Sequence, residues 1–292
     1  MSLRKVLIHE MFNFSRKYLP GRLYRLRDKV FDILNVRIKA VVQIDGIYFN
    51  IDTNNYHERG VFCFGKYEIG TRNFIANYIT NMADGLVIDV GANIGLHTLV
   101  MAASRRTLNV RVIAFEANPD MVRKLRLNLA LNNYSNVHVY SLGLNDREGV
   151  FELGLPYAEG QDTYHNPGIA SMSDWGRAVR KIEVTCKTLD NALVESGFGC
   201  DKVKLIKLDV EGKELDILKG ADTVLSKSGP AIIVEYNKNI FEQIRELLSR
   251  YGYIQIGSLL RYGIENETPA ENILFIKNYG DKEDLTHEPA CG

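Results

Sequence analysis

The feature that most constrains this chain is an alternation, from residue 86 onward, of short apolar runs rich in β-branched residues with helical stretches. Strands that alternate with helices favour right-handed crossovers and a mainly parallel sheet. We therefore predict an α/β fold of the doubly wound, Rossmann-like kind. The predicted strands are 86–90, 110–115, 137–142, 204–210, 231–236, 253–256 and 272–276, and the predicted helices are 67–82, 94–104, 120–132, 213–220 and 240–251.

A different pattern precedes the alternation and predicts an N-terminal helical and β-hairpin extension. Residues 2–36 show the apolar spacing of one or two amphipathic helices, interrupted at Pro20-Gly21. Asp45-Gly46 lies between two β-rich runs and predicts a hairpin. The expected organisation is an extension over 1–66, a main domain over 67–280 and an acidic tail over 281–292.

Composition and charge exclude several classes of protein. The formal net charge is zero, so no overall field attracts nucleic acid, and no RNA-binding module is present. No apolar run reaches the roughly 18–20 residues that cross a bilayer, and charges interrupt any signal-peptide core. The four cysteines form no CxxC pair, which argues against a zinc site or a disulfide framework. We expect a cytoplasmic protein.

Two segments outside the regular alternation bear on the partners of the protein. Residues 1–39 carry ten Lys and Arg against three acidic residues, so their helices either contact a membrane surface or a partner, or pack as a solvated appendage. Residues 155–180 are polar and rich in turns, which predicts either a substrate-facing loop or a surface excursion. The aromatic residues of that loop, which would suit a carbohydrate, are Tyr157, Tyr164, His165 and Trp175.

The segment DVGANIG over residues 89–95 follows a predicted strand and opens a predicted helix. Ligands of open α/β sheets bind at such positions, and Gly91 and Gly95 would let the backbone approach a ligand. The Asp89 carboxylate suits an ammonium group, such as that of S-adenosylmethionine. Asn93 stands where a dinucleotide site needs the glycine that admits a pyrophosphate, so S-adenosylmethionine is favoured over NAD.

Carboxylates end three further predicted strands. Glu116 follows the second strand and can accept hydrogen bonds from both hydroxyls of a ribose. Asp209 and Glu211 follow the fourth strand, and Glu235 ends the fifth. If these strands are neighbours, the carboxylates meet at one cleft, where they would bind a metal, hold substrate hydroxyls or supply a general base. The alternative is that Glu211 and Glu235 form ordinary surface ion pairs with nearby lysines.

Together these residues resemble the FkbM-type methyltransferases, over about residues 67–276. The resemblance rests mainly on VIDVGANIG (87–95), AFEANP (114–119), KLDVEG (207–212) and IIVEYN (232–237). It implies a seven-stranded sheet with an antiparallel last strand. It also implies O-methylation of a hydroxyl on a sugar, glycan or natural product, with S-adenosylmethionine as donor and S-adenosylhomocysteine as product.

The motifs and the resemblance define candidate site residues. The expected cofactor-binding residues are Glu68, Asp89, Gly91, Ala92, Asn93, Gly95, Glu116, Ala117, Asn118, Gly143, Leu144, Asn145 and Asp209. For catalysis we predict Asp209 as the general base, with Glu211 or Glu235 as its positioner. His57 is an alternative base and is preferred to His97, for which we expect a packing role. The metal requirement and the oligomeric state stay open.

Two other functions are compatible with parts of this pattern. The first is a non-catalytic binding or assembly protein with a methyltransferase fold, and the second is an NAD-dependent oxidoreductase. The carboxylates at Asp89, Glu116 and Asp209 speak against an inactive site, and Asn93 speaks against NAD. The segment after the fourth strand lacks the Asn/Asp-Pro-Pro-aromatic sequence typical of enzymes that methylate planar nitrogens, which favours a hydroxyl acceptor.

Overall fold

The computed structural model describes residues 38–64, 67–104, 109–135, 137–156, 179–259 and 272–279, without the side chains of residues 56, 57, 63 and 64. The expected helices over 2–36, the acidic tail and most of the loop over 155–180 lie outside these residues. The strands are β1 (Lys39–Ile44), β2 (Ile47–Asp52), β3 (Gly85–Val90), β4 (Val110–Glu116), β5 (Val137–Ser141), β6 (Gly143–Leu144), β7 (Gly149–Leu155), β8 (Arg180–Lys187), β9 (Val203–Leu208), β10 (Ala231–Glu235), β11 (Tyr253–Ser258) and β12 (Asn272–Lys277).

Seven α-helices occur in the described part of the chain. They are α1 (Tyr56–Phe64), α2 (Ile69–Thr80), α3 (Leu96–Ser104), α4 (Pro119–Leu131), α5 (Leu189–Glu195), α6 (Glu214–Lys219) and α7 (Phe241–Arg250). A short 3₁₀ turn (Cys200–Lys202) and a π turn (Val224–Ser228) precede β9 and β10. None of the described helices is long and apolar enough to span a membrane.

The main sheet has seven strands in the order β11-β12-β10-β9-β3-β4-β5. The pairs β3–β4, β3–β9, β4–β5 and β9–β10 are parallel, whereas β12 is antiparallel to both β10 and β11. Each predicted strand of the alternation is present within a few residues of its expected bounds. The doubly wound fold with an antiparallel last strand is therefore confirmed.

Helices cover both faces of this sheet, and each face has its own hydrophobic core. On one face, α2, α3 and α4 pack against sheet residues such as Val87 and Leu205. On the other face, α5, α6 and α7 pack against residues such as Ile88 and Ile206. Successive residues of one strand thus face opposite cores, as the two-residue period of a strand requires.

The predicted hairpin is formed by β1 and β2. Asp45 and Gly46 adopt φ values of 50° and 82°, the left-handed pair of a tight two-residue turn whose twist matches that of the strands. Phe49 and Phe62 are buried in the same core as helices α3 and α4. The boundary expected at residue 66 therefore divides the sequence without separating two hydrophobic cores.

Hydrogen bonds join the hairpin to the loop after β3. Asn128 on α4 is fully buried. Its side-chain oxygen accepts from the Asn50 backbone N–H (2.7 Å), and its amide donates to the Ile94 carbonyl (2.8 Å). Asn132 lies one helical turn later and is more exposed. Its side chain accepts a hydrogen bond from the Tyr48 backbone N–H and donates one to the Tyr48 carbonyl. Helix α4 thus ties the N-terminal hairpin to the candidate site.

A smaller sheet, in the order β6-β8-β7, was not predicted. Strand β8 is antiparallel to β7 and pairs in parallel with the two residues of β6. Exposed residues interrupt both long strands, so neither stands out as an apolar run. Among the described cysteines, Cys186 on β8 and Cys200 are buried.

Candidate active site

The site lies at the carboxyl edge of the central strands. Asp89 is near the end of β3, Asp209 follows β9, and Glu235 ends β10. The register pairs Leu208 with both Val90 and Val234, so the three acidic residues reach the same edge of the sheet. The condition under which these carboxylates meet, that their strands are neighbours, is therefore fulfilled.

The loop between β3 and α3 forms one wall of the site. Gly91 has a φ of +76°, and a Cβ there would overlap the backbone carbonyl oxygen of Asp209. Gly95 has a φ of +92°, and a Cβ there would overlap the side chains of Leu125 and Leu99. Left-handed backbone and protein packing thus already require these glycines, and the expected approach of a ligand stays a prediction.

Glu116 holds this loop in place. One carboxylate oxygen accepts from the backbone N–H of Asn93 and the other from that of Asn118, each at 2.8 Å. Burial raises the pKa of Glu116 to about 7, although these two hydrogen bonds act in the opposite direction. Each oxygen keeps a second lone pair for a ligand hydroxyl, so the expected ribose contact is compatible with the structural role.

Two polar atoms near the loop are buried without a hydrogen-bond partner among the described residues, namely Asp89 Oδ1 and Asn93 Oδ1. The other oxygen of Asp89 accepts from the hydroxyl of Thr98 at 2.6 Å. Buried polar atoms are almost always paired in folded proteins, so each exception calls for a reason. A ligand with hydrogen-bond donors in this cleft would supply one.

The acidic residues after β9 and β10 form a coupled cluster. Asp209 Oδ2 lies 2.9 Å from Lys207 Nζ, and this positive charge keeps the pKa of Asp209 below its ordinary value although burial acts to raise it. Burial and the neighbouring Asp209 raise the pKa of Glu235 to about 10. Glu235 is therefore protonated at neutral pH and hydrogen-bonds to the Asp209 carboxylate. Burial raises the pKa of Glu211 to about 7, with Asp209 again contributing.

A second buried acid, Glu68, precedes α2 with a left-handed φ of 42°. Its Oε2 lies 3.2 Å from His97 Nε2 and accepts from the Asn272 side-chain amide at 2.7 Å. Burial acts to raise the pKa of Glu68, but the nearby His97 and Lys207 outweigh it and lower the pKa. His97 is packed as expected, yet it also lines the candidate cleft.

Some of these groups line an open cleft with an empty volume of about 370 Å³. Its lining residues are Asn55, Glu58, Tyr67, Gly91, Ala92, Asn93, Ile94, Leu96, His97, Lys207 and Asp209. Lys207 and His97 were not among the predicted site residues. The signal for Lys207 was a charged residue in an apolar strand, two positions before Asp209. No group of three or more metal-ligating side chains was found among the described residues.

Other predicted residues have different surroundings. Asn118 is completely buried, and its side-chain oxygen caps α4 by accepting from the Asp120 N–H. Asn118 thus caps α4, and its expected cofactor contact stays a prediction. Gly143–Asn145 lie at the edge between the two sheets, where Leu144 and Asn145 are buried, and their cofactor role stays a prediction, as does that of the adjacent Ala117. His57 belongs to α1, but its side chain is outside the described residues.

The comparison with known families decides the assignment. A family model for the methyltransferase FkbM domain matches residues 89–254. The chain belongs to the FkbM methyltransferase family. The matched segment runs from Asp89 on β3 to Ile254 on β11 and includes Glu116, Asp209 and Glu235. It leaves out the residues before Asp89, which include Glu68 and the cleft residues Asn55, Glu58 and Tyr67.

Three relatives illustrate the range of the FkbM family. "Methyltransferase sdnD" from Sordaria araneosa is 32% identical over 203 residues, covering 61% of this chain and 76% of that protein. "Hexuronic acid methyltransferase AglP" from Haloferax volcanii is 30% identical over 171 residues, covering 57% and 62%. "2-O-methyltransferase NoeI" from Sinorhizobium fredii is 23% identical over 205 residues, covering 65% and 80%.

Proposed function

We propose that this methyltransferase transfers the methyl group of S-adenosylmethionine to a hydroxyl of a sugar, glycan or other natural product. The observation that carries the proposal is that Asn93 of the β3–α3 loop and Asp209 after β9 line the same cleft. Methyl transfer needs the donor sulfur, the methyl carbon and the acceptor oxygen in line, so both binding sites must open into one space. Two of the relatives, AglP and NoeI, are named for a hexuronic acid and for 2-O-methylation, which supports a carbohydrate hydroxyl.

The residues on the donor side fit S-adenosylmethionine. The unpartnered oxygens of Asp89 and Asn93 offer acceptors for the ammonium group, and Glu116 offers lone pairs to the ribose hydroxyls. Bound S-adenosylmethionine supplies a sulfonium group that is already activated for loss of its methyl. The excess of carboxylates around one lysine suits this positive charge, since opposite charges attract more strongly where water is excluded.

On the acceptor side, Asp209 is proposed to accept a hydrogen bond from the substrate hydroxyl and to take its proton as the O–CH₃ bond forms. The S–CH₃ bond breaks at the same time, and S-adenosylhomocysteine leaves as a neutral sulfide. Protonated Glu235 donates a hydrogen bond to Asp209 and fixes its orientation. Glu211 has a pKa near 7, which is well matched to a general base, so it is the second candidate for this role.

The first experiment is calorimetric titration of the purified protein with S-adenosylmethionine, S-adenosylhomocysteine and NAD. We expect binding of the first two and its loss in Glu116→Ala. Binding of NAD alone would support an oxidoreductase. Binding of S-adenosylmethionine with no transfer to any hydroxylated acceptor in a panel of uronic acids and glycans would favour a non-catalytic role.

Variants then separate the two candidate bases. At saturating S-adenosylmethionine, Asp209→Asn is expected to lose methyl transfer, whereas Glu211→Gln retains most of it. The reverse result would move the base to Glu211. Unchanged turnover in both variants would refute general-base catalysis by this cluster.

A further inference from the structure

Lys207 is a buried charged residue to which the proposed function assigns no part. Its side chain is 1% exposed in the middle of the central sheet. An ammonium group at such a position costs several kcal/mol unless carboxylates compensate it. Lys207 Nζ lies 2.9 Å from Asp209 Oδ2 and 4.0 Å from Asp89 Oδ1. The lysine thus stands between two carboxylates that have different tasks.

These two carboxylates belong to the two halves of the cleft. Asp89 precedes the β3–α3 loop, where the donor would bind, and Asp209 begins the acceptor side. The backbones of the two halves are already in contact: the Asp209 N–H donates to the Val90 carbonyl at 3.1 Å, and Gly91 leaves no room for a side chain beside Asp209. Lys207 adds a charged link inside this junction.

We propose that Lys207 is a positioning residue that fixes the Asp209 carboxylate relative to Asp89, and with it the acceptor site relative to the donor site. Its meaning for catalysis rests on the proposed function, but its effect on Asp209 does not. Without Lys207, the Asp209 carboxylate would lie among other acids, and no other lysine or arginine of the described residues forms an ion pair with it. The titratable and charged groups that face Asp209 or Lys207 are Tyr67, Glu68, Asp89, His97, Glu116, Glu211, Glu214 and Glu235.

The test compares Lys207→Met with Lys204→Met, which makes the same change on β9 at an exposed position. Both proteins are labelled with ¹³C at the aspartate carboxyl carbon, and the Asp209 signal is assigned by its absence in Asp209→Asn. We expect the NMR titration midpoint of Asp209 to move to higher pH in Lys207→Met and to stay at the wild-type value in Lys204→Met. An unchanged midpoint in Lys207→Met would overturn the proposal.

A stability cycle keeps the proposal testable if Lys207→Met does not fold. A buried ion pair can often be replaced as a whole by neutral groups, whereas removal of one partner leaves an uncompensated charge. Lys207→Met/Asp209→Asn is therefore expected to be more stable than Lys207→Met. A double variant as unstable as the single variant would contradict the pairing.

Calorimetry with S-adenosylmethionine separates this proposal from the proposed function. If wild type does not bind the donor but the Asp209 midpoint still shifts in Lys207→Met, the proposed function fails and the positioning of Asp209 by Lys207 stands. If wild type binds the donor and the midpoint does not shift, the positioning role fails alone.

Discussion

Glu116 gives the sharpest quantitative prediction, because its raised pKa makes folding stability depend on pH. The carboxyl group has an ordinary pKa of 4.5, and burial raises it to about 7 in the folded protein. The folded state therefore binds a proton more tightly than the unfolded state. The stability from this group is fully present below about pH 4.5 and is lost as the pH rises through about 7.

The magnitude follows from the two pKa values. At 1.36 kcal/mol per pH unit, the shift from 4.5 to about 7 corresponds to a loss of about 2.5 kcal/mol between about pH 5 and pH 8. Glu116→Gln cannot ionise and escapes this loss. The amide, however, replaces one accepting oxygen with a donor that faces a backbone N–H, which costs about 1–3 kcal/mol at every pH.

Denaturant unfolding of both proteins at the two pH values measures the difference. We expect Glu116→Gln to be less stable than wild type near pH 5 and to match or exceed it near pH 8. Other buried acids with raised pKa values affect both proteins equally and cancel in the comparison. Glu152→Gln, at a side chain that is 65% exposed on β7, is the control and should follow wild type. A wild-type-minus-variant difference that is the same at both pH values would refute the reasoning.

Three further predictions concern stability and need no knowledge of the acceptor. Gly91→Ala should destabilise the protein by more than about 3 kcal/mol in thermal or denaturant unfolding, because it adds a backbone clash to left-handed strain. Gly46→Ala has open space around the new methyl group and should destabilise the protein by only about 1–2 kcal/mol. Equal losses of stability would contradict this reasoning. Asn128→Ala removes two hydrogen bonds of a buried side chain, so it should lower the free energy of unfolding by about 2–4 kcal/mol and weaken S-adenosylmethionine binding. Asn132→Ala, at a more exposed side chain, should lower the free energy of unfolding by less than half as much. Glu211→Gly should be about 1 kcal/mol more stable than Glu211→Ala, because Glu211 has a left-handed φ of 53°; the opposite order would show that the backbone there is not strained.

The sequence was sufficient for the main sheet because each of its strands is a short apolar run bounded by helical stretches. It was also sufficient for the hairpin turn, where Asp45-Gly46 has one strongly preferred geometry. It could not predict that the hairpin shares a core with α3 and α4, because an apolar face does not specify which partner covers it. The contacts made by Asn128 join residues 78 and 34 positions apart in the chain, and no local pattern encodes them.

For the candidate site, spacing predicted which acids meet but not their protonation states. Asp209 and Glu235 were expected to be neighbours if their strands were adjacent, and a surface ion pair was the alternative for Glu235. That one is a carboxylate and the other a neutral acid depends on Lys207, whose burial is a property of the assembled sheet. Glu68 was predicted from the family resemblance alone. Its pairing with His97 joins the start of α2, which comes before β3 in the chain, to α3, which comes after β3.

The backbone conformation supports the proposed site independently of any motif. Five described non-glycine residues have a positive φ. Asn93 lines the cleft, Glu68 directly follows the lining residue Tyr67, and Glu211 comes two residues after the lining residue Asp209. The other two, Asp45 and Asn133, lie in a hairpin turn and just after a helix, where left-handed residues are common. A left-handed glutamate costs about 1–2 kcal/mol and persists only where surrounding contacts hold it. Such strain concentrates at functional sites. It indicates that contacts at this edge of the sheet hold polar groups in strained positions, at a cost in folding free energy.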